Sequence, residues 1–370
     1  MSYTNVMGLI FPNMHDETLR DMTSVRALGS VPFGGRYRLI DFTLSNMVNM
    51  GVSKVGVITK SNYQSLMDHL GSGKAWDLSR KNQGLYILPP FGITDESYAG
   101  RIAGLATLDA FFSNSKEDYV LLSDCHVVGN IDYEKIVDAH IASGADITVA
   151  YQTGVIPQLD STLVLSTGLD DRIADIAIGD SGETTGKYAI GLYVIAKALL
   201  RQLVHSAVSR NQMHFERDIL QRNVQDMRIF GYEVTEKTLM ISSLASYFAA
   251  NMALLDPETR AKIFRTDRRI YTKVRDCCPA IYGLKSSVSN SLVADGAVIE
   301  GSVKNSIIFR DVKIGENARI ENCIVMQGTI VSGSSTLGSV ILDKDVWIKE
   351  NRTLQGFESY PIFIEKGATV

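Results

Sequence analysis

From residue 5 to about residue 250, short apolar runs alternate with segments whose apolar residues recur at helical spacing. Val6 to Phe11, Val55 to Thr59, Tyr119 to Ser123, Ile147 to Tyr151 and Leu192 to Ile195 predict strands. Tyr63 to Leu70, Gly104 to Phe112, Tyr133 to Ser143 and Ala196 to Val204 predict the helices between them, and a further helical stretch runs from Leu244 to Leu255. Such alternation argues an α/β domain with a mostly parallel sheet covered on both faces. Ligands of these sheets collect at the carboxyl ends of the strands, so the loop after the first strand is the natural phosphate site.

From about Asn290 to Thr369 no helical period survives. Phrases of about six residues take over: Leu292-Val-Ala-Asp-Gly-Ala, Val298-Ile-Glu-Gly-Ser-Val, Val312-Lys-Ile-Gly-Glu-Asn, Ala318-Arg-Ile-Glu-Asn-Cys and Ile324-Val-Met-Gln-Gly-Thr. A β-branched or small apolar residue recurring at this period predicts a left-handed parallel β-helix of hexapeptide repeats. The small-residue positions are too regular for a β-sandwich. The pattern divides the chain into an α/β domain (1–255), a linker (256–289) and a β-helix (290–370), whose open ends and flat faces suit oligomer assembly.

Composition adds mainly exclusions. The 370 residues are 45% hydrophobic and 21% charged, with a formal net charge of -4. There is no basic field for nucleic acid or membrane, and no apolar stretch approaches the roughly 18 residues that span a bilayer. The N-terminal residues Met1 to Asn5 lack the features of a signal peptide. Cys125, Cys277, Cys278 and Cys323 have no metal-ligand spacing, so a reduced, cytoplasmic protein is expected.

One stretch is more specific: Val31-Pro32-Phe33-Gly34-Gly35-Arg36-Tyr37-Arg38-Leu39-Ile40-Asp41-Phe42-Thr43-Leu44-Ser45-Asn46. It reads as a Pro/Gly turn entering a helix that Asp41 would N-cap and Gly51 would stop. It resembles the N-terminal signature of ADP-glucose pyrophosphorylases (glucose-1-phosphate adenylyltransferases). His69 to Leu78, Gly191 to Ile195, Phe248 to Met252 and the phrases Ile270-Tyr271-Thr272 and Pro279-Ala280 extend the likeness over the whole chain. The resemblance implies a Rossmann-like nucleotidyltransferase (GT-A-like) domain followed by the hexapeptide β-helix.

Joining a sugar 1-phosphate to the α-phosphate of ATP needs backbone N–H groups around the phosphates, basic residues on them, and carboxylates on Mg²⁺. Where the family has a double-glycine loop with an arginine, this chain reads Phe11-Pro12-Asn13-Met14-His15-Asp16-Glu17-Thr18-Leu19, with no glycine and two acidic residues. Leu28 stands at the position of a phosphate-binding lysine. Cys125, before His126, and Met240 match the family's two metal aspartates, leaving Asp124 one place off. Ala174 to Gly179 replaces the phrase that holds the sugar phosphate. These departures resemble the family's non-catalytic D-type (GlgD) branch. They imply a regulatory subunit without a cofactor of its own, with Mg²⁺ entering only through a catalytic paralogue in a heterotetramer. Self-association is also open to it. The alternative is an active enzyme that uses Asp124 and Asp218 as metal carboxylates.

Arg26, Tyr37 and Arg38 match family positions near phosphorylated effectors, although Arg38 could equally pair with Asp41. The absence of arginine between Gly333 and Trp347 argues against a complete effector site for a sugar phosphate. His126, His140 and His214 lack a sequence partner at metal spacing. Tyr98 and Gly100 fall where the family places an adenine-side loop, but Arg101-Ile102 departs from its small residues. Residues 290–370 contain no histidine, which excludes hexapeptide acyltransferase chemistry.

Overall fold

The computed structural model describes residues 5–60, 62–89, 100–168, 170–180 and 182–370; Tyr98 therefore lies outside the described residues. The N-terminal domain is built on a nine-stranded sheet. Its strands are β1 (Val6–Phe11), β2 (Lys54–Ile58), β3 (Gly84–Leu88), β4 (Tyr119–Asp124), β5 (Ile147–Val155), β6 (Leu163–Thr167), β7 (Ile173–Ile178), β8 (Thr185–Ala196) and β9 (Ile229–Glu233). The main path runs β7-β6-β8-β4-β1-β2-β3, with β5 paired to both β8 and β9. β1 lies parallel between β2 and β4, and all six of its residues are buried, as continuous apolar runs in a covered parallel sheet require.

The predicted helix over Tyr133–Ser143 forms as expected. The segment read as one helix from Gly104 to Phe112 instead forms Arg101–Ala106 and Asp109–Ser113. Asp41 is not the N-cap of helix Leu39–Asn49: Arg38 is, and Asp41 stands at N3, accepting the Arg38 backbone N–H at 3.0 Å. The Asp41 carboxylate also accepts a hydrogen bond from His69, buried beside Trp76. The Tyr247 hydroxyl donates to Pro32 O at 2.6 Å, and Asn251 Oδ1 accepts the Gly34 N–H at 2.9 Å. The signature stretch, His69 to Leu78 and the Phe248 to Met252 segment are thus tied together by buried polar contacts.

Three five-stranded parallel sheets form the C-terminal coil. Its first strand, Ile281–Tyr282, pairs with Val298–Ile299, so the coil opens inside the segment read from sequence as linker. The corners explain the repeat: Asn290, Asn305, Asn322 and Ser339 all take positive φ, as do Asn317, Ser334 and Asn351. Asparagine tolerates the left-handed region better than most residues with a Cβ, and the sharp turns recur at these positions. Ile307, Phe309, Ile324, Met326 and Ile341 of the coil share one buried cluster with Val31, Phe33 and Tyr247 of the first domain. A bidentate ion pair, Arg26 to Asp343 at 2.8 Å, is buried across the same junction.

Candidate functional site

At the carboxyl ends of β1 and β4 lies a cavity of about 520 Å³. Its walls include His15 from the loop after β1, Asp124 and His126 at the end of β4, Gly191 of β8, and Met240. β8 bulges between Ala189 and Leu192, and Gly191 sits there at φ +71°. A Cβ at this position would fall 2.5 Å from Asp124 Oδ2, so glycine is needed both for the backbone and for the close approach.

Arg101 fills the inner end of this site. Its helix is brought in by Gly100, where a Cβ would lie 2.2 Å from the Met213 carbonyl oxygen. The guanidinium donates to Asp124 Oδ1 and Oδ2 at 2.8 and 3.1 Å, and its Nε and one terminal nitrogen reach Glu216 Oε1 at 3.0 and 2.8 Å. It also packs over the rings of Phe11 and Tyr193. Burial alone would push Asp124 up, but Arg101 and His15 hold its carboxyl well below the usual carboxylate range. Burial would likewise lower Arg101; Asp124 and Glu216 more than reverse it. Glu216 is carried by a π-helical turn, Phe215–Gln221, a geometry common at functional sites.

The loop after β1 is closed by its own residues. Asp16 Oδ1 accepts the Leu28 N–H at 2.8 Å, and Asn13 Nδ2 donates to Asp16 Oδ2 at 2.7 Å. Burial raises Asp16 to about 6. Of the three positions read from sequence as departing from the family's site pattern, Met240 lines the cavity, whereas Leu28 and Cys125 are buried in the hydrophobic core. Alternation along the strand end turns Asp124 to the cavity and Cys125 inward. Burial, and then the neighbouring Asp124, push the Cys125 thiol well above its ordinary value. Asp218 accepts the N–H groups of Met213 and His214 and pairs with Arg217. The implied Mg²⁺ does not fit this donor set. It prefers near-octahedral oxygen coordination, and two of the three clustered donor residues here, His15 and His126, offer imidazole nitrogen.

His126 has neighbours that its sequence spacing does not reveal. His15 Nε2 lies 3.1 Å from Asp124 Oδ2, and the His15 and His126 rings are 4.0 Å apart. His140, by contrast, bonds Thr148.

A second site is a cationic cleft between the domains, lined by Arg36, Tyr37, Arg38, His69, Lys273, Arg275, Arg310 and Lys344. The coil supplies Arg310, which precedes the Gly333–Trp347 window considered from sequence, and Lys344, a lysine inside it. The Arg38 guanidinium donates to Ser65, and only its backbone N–H reaches the Asp41 carboxylate, while Arg26 is committed to Asp343. Burial, and then the nearby Arg38 and Arg26, bring Lys344 down to about 7.

Fold and site together define a nucleotidyl-transferase domain with a hexapeptide coil. The Nucleotidyl transferase family model matches residues 17–256, and the GlmU-like, C-terminal hexapeptide model matches 280–358. The chain is similar to the Glycogen biosynthesis protein GlgD of Bacillus subtilis (strain 168), 33% identical over 99% of this chain and 97% of the relative. It is also similar to the protein of the same name from Geobacillus stearothermophilus, 34% identical over 85% of this chain and 82% of that one. Glucose-1-phosphate adenylyltransferase of Thermosipho africanus (strain TCF52B) is 31% identical over 86% of this chain and 78% of the relative. The chain belongs to the ADP-glucose pyrophosphorylase (glucose-1-phosphate adenylyltransferase) family. Among the described residues, no helix is long and apolar enough to cross a membrane.

Proposed function

We propose that this chain is the regulatory, catalytically impaired subunit of a cytoplasmic ADP-glucose pyrophosphorylase in bacterial glycogen synthesis, raising the activity of a catalytic paralogue in a heterotetramer. One observation carries the reading: the Asp124 carboxylate at the strand ends is neutralised by the buried guanidinium of Arg101. A group held in this way is poorly placed to hold Mg²⁺ against a triphosphate. In this reading Mg²⁺ and the chemistry belong to the partner. Alone, the purified chain should form no ADP-glucose from ATP, glucose 1-phosphate and Mg²⁺. Mixed with the catalytic paralogue, it should raise that subunit's rate or shift its effector response, and an unchanged rate and response would remove the proposal.

A second reading, an active adenylyltransferase, draws support from the preserved cavity with Asp124 on its wall. It requires Mg²⁺-dependent pyrophosphate release that Asp124→Asn abolishes.

The cationic cleft is the proposed place for a phosphorylated sugar effector, with Arg38 rather than Arg26 at its lining. An anion there favours charged Lys344, whose pKa of about 7 leaves it mostly neutral at pH 8. Binding of glucose 6-phosphate, whose phosphate is a dianion at pH 8, should therefore take up a proton at that pH and weaken as pH rises from 7 to 9. Calorimetry in buffers of different ionisation enthalpy measures this uptake. A heat at pH 8 that is independent of buffer would argue against Lys344 as the contact.

A further inference from the structure

We propose that His15, Asp124 and His126 form a binding site for a divalent transition-metal ion of borderline softness, for which Zn²⁺ is the reference. One donor atom from each residue can be chosen so that all lie within 4.8 Å of one another. The 3.1 Å between His15 Nε2 and Asp124 Oδ2 is close to the roughly 3.3 Å that separates two donors on a tetrahedral zinc ion with bonds of about 2.0–2.1 Å. Two imidazoles and one carboxylate favour such an ion over Mg²⁺.

A second observation is independent of this clustering. His126 is 4% exposed, and its Nδ1 is buried without a hydrogen-bond partner. A buried ring nitrogen without a partner, on a ring 4.0 Å from that of His15, calls for an explanation, and a coordinated ion supplies one.

The surrounding groups support the geometry. Arg101 can retain Asp124 Oδ1 at 2.8 Å and both of its contacts to Glu216 while Asp124 Oδ2 turns to the ion. Asp124 would then have the outer partner that metal-bound carboxylates usually have. The two carboxylates and one guanidinium leave one net negative charge beside a divalent ion. The cavity leaves room for a water or ligand oxygen as a fourth donor. Coordination would tie the loop after β1 to the end of β4. The proposal stands whether or not the chain assists a catalytic partner.

The test uses the full-length chain, stripped with a chelator and titrated with ZnCl₂ against a chromophoric competitor. Binding of one equivalent with sub-micromolar affinity is expected, undisturbed by excess MgCl₂. His15→Asn and His126→Gln should each weaken it by about 100-fold or more. Joint replacement Cys277→Ser and Cys278→Ser should leave it unchanged. With CoCl₂ the unaltered chain should show d–d absorption without a thiolate charge-transfer band, which decides the matter even where a variant fails to fold. Failure to compete for Zn²⁺, displacement by MgCl₂, insensitivity to both histidine substitutions, loss with the cysteines or a thiolate band would each overturn the proposal.

Discussion

Arg101→Ala lowers the unfolding free energy by about 3–5 kcal/mol, the range for removing one partner of a buried ion pair. Arg101 is 1% exposed and faces two carboxylates, so alanine leaves Asp124 and Glu216 without their cation in a poorly hydrated site. The penalty also has a pH signature. In the native chain Asp124 is held below its unfolded value, so its contribution is complete above the unfolded carboxylate range and is lost only in strong acid. Without Arg101, burial is the dominant influence and raises Asp124 above its unfolded value. The folded variant then binds the extra proton, and its deficit shrinks as pH falls from 8 towards 5. Chemical denaturation of both chains at several pH values measures this convergence. A constant gap would mean that Asp124 is not the group left exposed to the cost. Arg101→Met combined with Asp124→Asn and Glu216→Gln should recover much of the loss, because no uncompensated buried charge remains.

The second large effect is expected at the domain junction. Arg26→Ala or Asp343→Ala should each cost about 3–5 kcal/mol, since each leaves the other charge buried and unpaired. The double variant should cost clearly less than the sum of the two, the mark of a direct pair in a mutant cycle. The two ends are 317 residues apart in the chain, so either single change should also raise hydrogen exchange on both sides of the junction. Additive losses, or exchange confined to one domain, would argue that the pair does not hold the junction.

Much of the architecture was legible because it is periodic. Apolar runs marked the central strands, and the six-residue phrases marked the coil, including Asn322 at a corner where left-handed backbone is needed. Asp41 was recognisable as a capping residue but was placed three positions early, because the carboxylate at N3 and the residue at the N-cap both satisfy the same turn. The glycine-free loop after β1 could be read as unsuited to phosphate, and Asp124 as facing away from Cys125. The arrangement around Asp124 could not be read. His15 lies 109 residues from it and Glu216 lies 115 from Arg101, and no local period links them. The one available signal was Arg101 itself, a long cation in a stretch that the resemblance leads one to expect small. Likewise, the search for arginines between Gly333 and Trp347 missed Arg310, which lies before that window, and Lys344, a lysine inside it, because which coil corner faces the cleft depends on tertiary docking.

The apolar cluster that joins Ile307, Phe309, Ile324, Met326 and Ile341 to the first domain makes the coil a keel rather than an appendage. A chain cut near residue 280 would uncover an oily flank that water penalises, so neither half can be expected to behave as a self-sufficient module. Leu28 and Cys125 lie in the same cluster, so apolar side chains at these two site positions extend the keel. A lineage could therefore exchange polar groups of the pocket for oily ones and keep the hull sound.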